Sequence, residues 1–292
     1  MYYILVSEVM RMEKKGYVLA IHMFKGGVGK STLTQLMADI LSAKGFKVLV
    51  IDVDPQGTVT KKFQRQYDID VLGRNTLFEA VINMSFDDCI TPVKENLDVI
   101  LGSEQMSRFS KVLREMWKST GFTDEGEEIF WNLFNYMIQN DELKSKYDFI
   151  IFDTIPTVSE FTDNVYVASD FLVIPTQTEQ DSLDNLHNTI ENYQEAVKEI
   201  NTDLEILGIV PYLVDTRLKT GQELLVELKE EYKDLVYDHV VKDKGVVRRW
   251  GREGLNKAIP HSKKPYEMYM NIVDETLLRL EKITGNKFTN RN

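Results

Sequence analysis

A glycine-rich segment near the start of the chain has the residue types and spacing that bind phosphate. Glycines let backbone N–H groups turn toward phosphate oxygens, and the helix predicted to follow presents its positive N-terminal end to the same group. Lys30 would neutralise the outer phosphates, and the hydroxyl of Ser31 would ligate Mg²⁺. The segment therefore predicts a nucleoside triphosphate site. Its residues are Lys25, Gly26, Gly27, Val28, Gly29, Lys30, Ser31 and Thr32.

Two features separate this segment from the usual P-loop pattern. Phe24 stands where that pattern has glycine, and a second lysine, Lys25, begins the loop. One phosphate group rarely needs two lysines from the same loop. Lys25 is therefore a candidate for contact with the nucleotide of a neighbouring subunit.

Two carboxylate motifs follow apolar runs further along the chain. Asp52 and Asp54 come after one run, and Asp153 comes after another. Parallel strands place their carboxyl ends at one edge of a sheet, where ligands bind. Phosphoryl transfer needs a carboxylate that holds Mg²⁺, usually through water, and a polar group that orients the attacking water. We assign Asp153 to the first role and Asp54 to the second, with Asp54 also a candidate for the metal through water. Asp52 either supports the metal site or ends its strand.

Short apolar runs alternate with longer amphipathic stretches from Tyr17 onward. This pattern is typical of an α/β fold with a doubly wound, mostly parallel sheet flanked by helices. The first helix is predicted to end at Gly45, where a left-handed cap is needed. The predicted strands are Tyr17 to Met23, Lys47 to Asp52, Leu97 to Leu101, Asp148 to Asp153, Phe171 to Pro175, Leu204 to Pro211 and Leu235 to Val240.

Apolar residues spaced three and four apart mark two helix faces. The first face belongs to the helix after the glycine-rich loop. The second is a long stripe that either packs on the sheet or binds a partner. The first consists of Leu33, Leu36, Met37, Ile40 and Leu41, and the second of Leu183, Leu186, Ile190, Tyr193, Val197 and Ile200.

Composition excludes several classes of protein. The chain has 292 residues and a formal net charge of −11, so as a whole it should repel nucleic acid and anionic membranes. Its apolar runs are shorter than the ~18 residues that span a bilayer. The chain has a single cysteine, Cys89. This count is typical of a protein in a reducing cytoplasm and excludes metal sites built from several cysteines. The four histidines lack metal-ligand spacing and are assigned structural roles.

The chain shows no linker or repeat, so we predict an N-terminal extension over 1–16 and one domain over 17–292. The extension lacks the features of a signal peptide. Met10 and Met12 leave a later translation start open.

Together these motifs resemble the ParA/MinD superfamily of deviant Walker A ATPases, and within it the ParA-type plasmid partition ATPases of the small type without an N-terminal helix-turn-helix domain. The resemblance covers almost the whole chain from Tyr17 onward. It rests on the segment Lys25 to Thr32, on Asp52 to Gly57 and on the Asp153 motif, with support from Pro175 to Glu179 and Asp215 to Arg217.

The resemblance implies an ATP- and Mg²⁺-dependent switch. ATP would join two subunits in a sandwich, with Lys25 reaching the other subunit's phosphates, and this homodimer would bind double-stranded DNA without sequence preference. Hydrolysis would be stimulated by DNA and a centromere-binding partition protein and would release the DNA. Lys30 would be the P-loop lysine and Thr32 a phosphate contact. Adenine would lie near Pro211, Tyr212 and Asp215. The implied location is the cytoplasm, in association with the nucleoid.

A basic segment between Lys242 and Lys264 contrasts with the acidic remainder of the chain. It has eight basic and two acidic residues, a local balance of +6. Contacts between such residues and phosphates release counterions and give salt-sensitive DNA binding. The alternative is a solvated basic helix whose Trp250 anchors the core. The candidate DNA contacts are Arg217, Lys242, Lys244, Arg248, Arg249, Arg252 and Lys257.

Two other functions share this fold. A MinD-like membrane-positioning ATPase would end in a basic amphipathic helix, but the predicted last helix, Pro265 to Ile283, carries several acidic residues that oppose anionic lipid. We therefore expect no membrane partner and assign the apolar face of this helix to the core. A ligase or synthase would need substrate-binding residues that the sequence does not identify.

Overall fold

The computed structural model describes residues 16–120, 127–199, 201, 203–214, 219–242, 245–247, 250, 255 and 263–289, with side chains omitted for 116–120, 127–131 and 196–199. Eight strands form one sheet in the order β3-β4-β2-β5-β1-β6-β7-β8. The strands are β1 Tyr17–Ile21, β2 Val48–Asp52, β3 Ile90–Lys94, β4 Leu97–Ile100, β5 Phe149–Asp153, β6 Phe171–Gln177, β7 Glu205–Val214 and β8 Val241–Lys242.

Helices cover both faces of this sheet. They are α1 Lys30–Ala43, α2 Thr58–Tyr67, α3 Leu77–Asn83, α4 Phe109–Thr120, α5 Glu127–Asn140, α6 Leu143–Lys146, α7 Glu160–Ala168, α8 Gln180–Glu199, α9 Lys219–Tyr232 and α10 Lys263–Thr284. Because side chains alternate along a strand, Leu19 and Ile21 of β1 lie in one apolar cluster with α1 and α10, whereas Val18 and Ala20 lie in the other. The doubly wound, mostly parallel fold predicted from the sequence is confirmed.

The register of the three central strands aligns their carboxyl ends. β5 pairs in parallel with both β1 and β2, and Asp153 lies opposite Ile21 on one side and Asp52 on the other. The chain segments that leave β1, β2 and β5 therefore emerge side by side. This alignment brings the three predicted phosphate and metal motifs to one edge of the sheet.

The predicted helix faces are buried where the side chains are described. All five residues of the first face lie in the core, and Gly45 has the left-handed φ of 86° expected at the helix end. In α8, Leu183 and Leu186 are buried, and Ile190 and Tyr193 pack against the core, so this part of the stripe contacts the protein itself. Val197 and Ile200 lie outside the described side chains.

The structure corrects the prediction of a strand over Leu235 to Val240. Val236 forms an isolated parallel bridge with Ile209, and Tyr237 N–H donates to Ile209 O at 2.9 Å. The next two amides, of Asp238 and His239, donate instead to the carboxylate of Glu275 in α10, at 2.9 and 3.0 Å. Because this distant side chain binds the two amides, the strand begins later in the chain, as the two-residue β8.

The outer strand β3 was not predicted. A tight turn at Asn96, whose φ is 60°, joins it to β4, with which it pairs antiparallel. Its sequence includes Pro92, and the register shifts between Pro92 and Lys94. Proline lacks the N–H that a central strand needs, so its presence fits an outer strand.

In the described part of the chain the last helix is α10, and most of its predicted apolar face packs in the core, whereas Leu278 is exposed. Ile272, Val273, Leu277 and Leu280 are buried there. Among the described residues, no helix has both the length and the apolar character required to cross a membrane.

Candidate nucleotide site

The glycine-rich loop forms an open cradle between β1 and α1. Gly27 and Gly29 adopt left-handed φ values of 78° and 96°, which favour glycine. A Cβ atom at Gly26 or Gly27 would meet nothing within 4 Å, whereas one at Gly29 would overlap the ring of Tyr212. The outer side of the loop is therefore free for a ligand, and its inner side rests on the core.

Lys30 lies across this cradle at the start of α1. Its ammonium donates to the carbonyl oxygens of Met23 at 3.0 Å and Lys25 at 2.9 Å. Burial lowers the pKa of Lys30 to about 8, against the opposing effect of Asp153 and Asp54. A buried ammonium held by neutral carbonyls gains from an anionic ligand, because charge-assisted hydrogen bonds are the stronger kind.

Asp153 provides a carboxylate beside the first turn of α1. The hydroxyl of Thr34 donates to its Oδ1 at 3.0 Å, while its Oδ2 is buried and has no hydrogen-bond partner among the described residues. Burial raises the pKa of Asp153 to about 6, and hydrogen bonding from Ser31 and Thr34 opposes that rise. A buried carboxylate oxygen without a partner, next to the Ser31 hydroxyl, fits the oxygen donor set of a hydrated Mg²⁺ ion.

Asp52 and Asp54 shape the start of α2. Fully buried Asp52 accepts hydrogen bonds from Thr60 N at 2.8 Å, Thr60 Oγ1 at 2.7 Å and Asp54 N at 3.2 Å. The partly exposed Asp54 accepts from Gln56 N and Thr58 Oγ1, each at 2.8 Å. Asp52 therefore does more than end its strand, because it fixes the loop that presents Asp54.

Lys25 is held by its own chain in this structure. Its ammonium donates to Ser182 Oγ at 2.9 Å and lies 3.2 Å from Glu179 Oε2. Both partners belong to the segment that follows β6 and begins α8. Contact with another subunit would therefore require Lys25 to exchange these partners.

Lys62 of α2 also reaches the glycine-rich loop. Its ammonium donates to Thr32 Oγ1 at 3.0 Å. The sequence motifs did not identify Lys62. A sequence feature that could have identified Lys62 is its spacing of four residues from Thr58, because this spacing places both side chains on one face of α2.

The other end of α2 is anchored to the C-terminal part of the chain. Gln66 exchanges two hydrogen bonds with the backbone of Leu255: its Nε2 donates to Leu255 O at 3.1 Å, and its Oε1 accepts from Leu255 N. The hydroxyl of Tyr67 donates to the buried Asp39 of α1, which also accepts from Tyr266 of α10 at 3.0 Å. α2 is thus fixed at both ends.

The predicted adenine contacts require a correction. Pro211 and Tyr212 do not end their strand, because β7 continues to Val214. Tyr212 is buried beneath Gly29, and its hydroxyl is hydrogen-bonded to that of Tyr269, so its ring supports the loop from the core side. Asp215 lies outside the described residues.

The predicted DNA contacts fall mostly outside the described residues. Lys242 ends β8 and is exposed. Trp250 is buried, as expected for an anchor of the segment. The candidates outside the described part are Arg217, Lys244, Arg248, Arg249, Arg252 and Lys257.

His22 links β1 to the loop after β5 and is fully buried. Its Nδ1 is 2.8 Å from Thr154 Oγ1, and its Nε2 has no hydrogen-bond partner among the described residues. Burial, with a contribution from Lys30, lowers the pKa of His22 from 6.5 to about 3. This histidine is neutral and structural in the folded protein.

The buried His22 is expected to make the protein sensitive to acid. Its folded-state pKa is below the unfolded value, so its contribution to stability is complete above pH 6.5 and is lost as pH falls toward 3. Between pH 7 and pH 5 the free energy of unfolding should fall by about 2 kcal/mol from this group. In urea unfolding, the free energy of unfolding of His22→Asn should fall by about 2 kcal/mol less than that of the wild type between pH 7 and pH 5. His187→Asn, at a half-exposed histidine, should match the wild type. Parallel pH curves for wild type and His22→Asn would contradict the prediction.

Comparison with known proteins identifies the family of this site. The profile of a family described as an AAA domain matches residues 16–206, more than half of the chain. The chain is 29% identical over 238 residues to the sporulation initiation inhibitor protein Soj of Bacillus subtilis (strain 168), covering 77% of this chain and 84% of Soj. It is 28% identical over 232 residues to the chromosome partitioning protein ParA of Caulobacter vibrioides (strain NA1000 / CB15N), covering 77% of this chain and 79% of that protein.

The chain belongs to this AAA family and to the ParA/MinD superfamily, close to the ParA-type partition ATPases. A crystal structure described as a plasmid partition protein of Borrelia burgdorferi B31 bound to AMPPNP superposes on this ParA-type chain with a TM-score of 0.72. The sequence identity is 26%, and the match covers 91% of this chain and 100% of that one. The superfamily predicted from the glycine-rich loop and the two aspartate motifs is thereby confirmed.

Proposed function

We propose that this chain is an ATP-dependent DNA-partition ATPase whose ATP-bound homodimer binds DNA without sequence preference. The observation that carries the proposal is the convergence of Lys30, Asp153 and Asp54 at the carboxyl ends of β1, β2 and β5, beside an open cradle of glycines. ParA-type relatives support the partition role. We further propose one domain over 17–292 and a location on the nucleoid in the cytoplasm.

The residues of the cradle fit ATP and Mg²⁺. The loop amides of Gly26 to Gly29 and the ammonium of Lys30 would hold the phosphates, with Thr32 as a further contact. The hydroxyl of Ser31 would hold the metal directly, and Asp153 through water. When bound, Mg²⁺ would neutralise charge on the phosphate oxygens. Pro211, Tyr212 and Asp215 were predicted to contact adenine. Because the ring of Tyr212 is buried, we keep Asp215, which lies outside the described residues, as the proposed contact.

Asp54 would orient the attacking water. Its two oxygens are fixed by Gln56 and Thr58 at the mouth of the site, so the carboxylate is directed by the loop before any ligand binds. Phosphoryl transfer depends mainly on positioning and on charge stabilisation. Lys25, on the same edge, would complete the site of a second subunit after leaving Glu179 and Ser182.

The DNA-binding part of the proposal rests on charge distribution. The segment from Lys242 to Lys264 is basic in an acidic chain. A few basic residues per subunit give weak DNA binding. A dimer has twice as many of these contacts, and its affinity for DNA falls steeply as the salt concentration rises. Hydrolysis, stimulated by a centromere-binding partition protein and by DNA, would then return the protein to weakly bound monomers.

Sedimentation with random-sequence DNA and with anionic liposomes, each with and without ATP, tests this function. We expect ATP-dependent retention on DNA and none on liposomes. The variant Arg248→Gln/Arg249→Gln/Arg252→Gln should bind DNA at least tenfold more weakly. The slope of log K against log salt concentration should decrease in magnitude by up to about 3 per subunit. ATP affinity should not change.

A matched control replaces three basic residues outside the segment. Lys219→Gln/Lys229→Gln/Lys233→Gln, in and just after α9, removes the same charge and should leave DNA affinity within about twofold. Equal loss in both triple variants would show that net charge rather than the segment controls binding. ATP-dependent retention on liposomes instead of DNA would favour a membrane-positioning ATPase and contradict the proposal.

A further inference from the structure

Lys62 occupies an unusual electrostatic environment for a lysine of a solvent-facing helix. Its ammonium contacts the neutral hydroxyl of Thr32, and among the described residues no carboxylate lies within ion-pair distance of it. Burial lowers the pKa of Lys62, Asp153 opposes that shift, and Arg65 adds to it. A partly desolvated cation without an anionic partner is costly unless a ligand compensates for the lost hydration.

The geometry of α2 directs this side chain toward the site. Thr58 and Lys62, four residues apart, face the nucleotide edge, where they contact Asp54 and Thr32. Val59 and Phe63 are buried in the core. Lys61, the neighbour of Lys62, is exposed and donates to Gln56 O at 2.6 Å. The orientation of Lys62 therefore follows from the amphipathic pattern of the helix.

The position of Lys62 is also held from both ends of its helix. Asp52 binds the backbone N–H and the hydroxyl of Thr60, and Gln66 and Tyr67 fix the last turn to Leu255 and Asp39. An ammonium that is fixed in advance loses less conformational freedom when it binds a ligand. Lys62 thus has both the charge and the preorganisation of an anion contact.

We propose that Lys62 is a third lysine of the nucleotide site and that its ammonium binds the inner phosphates at the position it shares with Thr32 Oγ1. This inference rests on the proposed nucleotide site. Lys30 lies across the mouth of the loop and is assigned to the outer phosphates, whereas Thr32 lies further along α1. ADP and ATP both carry the inner phosphates, so both depend on Lys62.

Equilibrium binding of fluorescently labelled ADP, and of a non-hydrolysable ATP analogue, tests this role. Lys62→Gln should weaken both ligands by a similar factor of about ten, the effect of losing one charge-assisted hydrogen bond. Lys62→Arg keeps the charge and should recover most of the affinity. Lys61→Gln, which removes the adjacent exposed lysine, should bind as the wild type does. The salt dependence of ADP affinity should be weaker in Lys62→Gln than in Lys61→Gln.

Two further measurements separate ligand binding from folding. Thermal unfolding without nucleotide should give a midpoint for Lys62→Gln that is no lower than that of the wild type. In the wild type, the NMR signal of the Lys62 ammonium or its adjacent methylene should shift on addition of ADP, while that of Lys61 should not.

Several outcomes would overturn the inference. Wild-type ADP affinity in Lys62→Gln would show that Lys62 only braces Thr32. Loss of affinity in Lys62→Gln and Lys62→Arg alike, with lowered unfolding midpoints in both, would assign it a packing role. A wild-type protein that does not bind ADP would contradict the proposed function itself, whereas a wild type that binds ADP but not DNA would contradict only the partition role.

Discussion

Asp54→Asn is expected to bind ATP and DNA with nearly wild-type affinity while its hydrolysis rate falls by at least about a hundredfold. Asparagine retains an oxygen that accepts from Gln56 N, so the loop should keep its shape. It loses the negative charge that would orient the attacking water. The proposed contacts of Gly26 to Gly29 and Lys30 with phosphate do not involve Asp54, so binding should survive. ATP binding, DNA retention and phosphate release would be measured on the same preparation.

The chain offers a matched control for this variant. Asp70 lies beyond the end of α2 and accepts from Leu72 N at 3.0 Å, the same local turn that Asp54 makes with Gln56. Asp70→Asn therefore alters an equivalent turn away from the site and should hydrolyse ATP normally. Thr58→Ala removes the hydroxyl that fixes Asp54 Oδ2 and should give an intermediate rate. Normal turnover by Asp54→Asn would remove Asp54 from the mechanism.

The second large effect is expected at Lys25. Lys25→Ala should retain the ADP affinity of the monomer but lose ATP-driven dimerisation, and its turnover should fall by about a hundredfold or more. In the monomer this ammonium contacts Glu179 and Ser182 rather than the cradle formed by its own loop. Removing it therefore leaves the first subunit's site almost intact while depriving the second subunit of a charge.

Light scattering with a non-hydrolysable ATP analogue measures the dimer directly. Lys61→Ala, at an exposed lysine of α2, serves as the control for loss of one positive charge and should dimerise as the wild type does. Mixing Lys25→Ala with Asp54→Asn adds a stricter test. In a mixed dimer, the site that keeps Asp54 would receive Lys25 from the other subunit, whereas the second site would lack both groups. A Lys25→Ala protein with an unchanged dimer and unchanged turnover would refute the trans role.

The sequence was sufficient to predict the central strands and the edge at which the motifs meet, because both depend on short-range patterns. Apolar runs place β1, β2 and β5 in the core, and the residues that follow them must then emerge at one edge. The glycine-rich loop was equally predictable, since Gly27 and Gly29 adopt backbone conformations that other residues avoid.

The errors arose where a distant side chain decides the local structure. Glu275 captures two amides and shortens the predicted strand to β8, a contact across 36 and 37 residues that no local pattern reveals. Tyr212 was predicted near adenine, but its ring is buried against Gly29 on the core side of the loop. Lys62 belongs to no motif, and its proximity to Thr32 depends on how α2 packs against α1.

The two outer strands limit how copies of this protein can associate. β3 contains a proline and a register shift, and β8 has two residues in the described part of the chain, so each is a poor template for adding a strand from another molecule. Sideways growth of the sheet into a fibre is therefore disfavoured on both flanks. Self-association is left to the ends and faces of the layers, which include the carboxyl edge where we propose that the ATP-dependent dimer forms. Blunt flanks of this kind would keep assembly reversible.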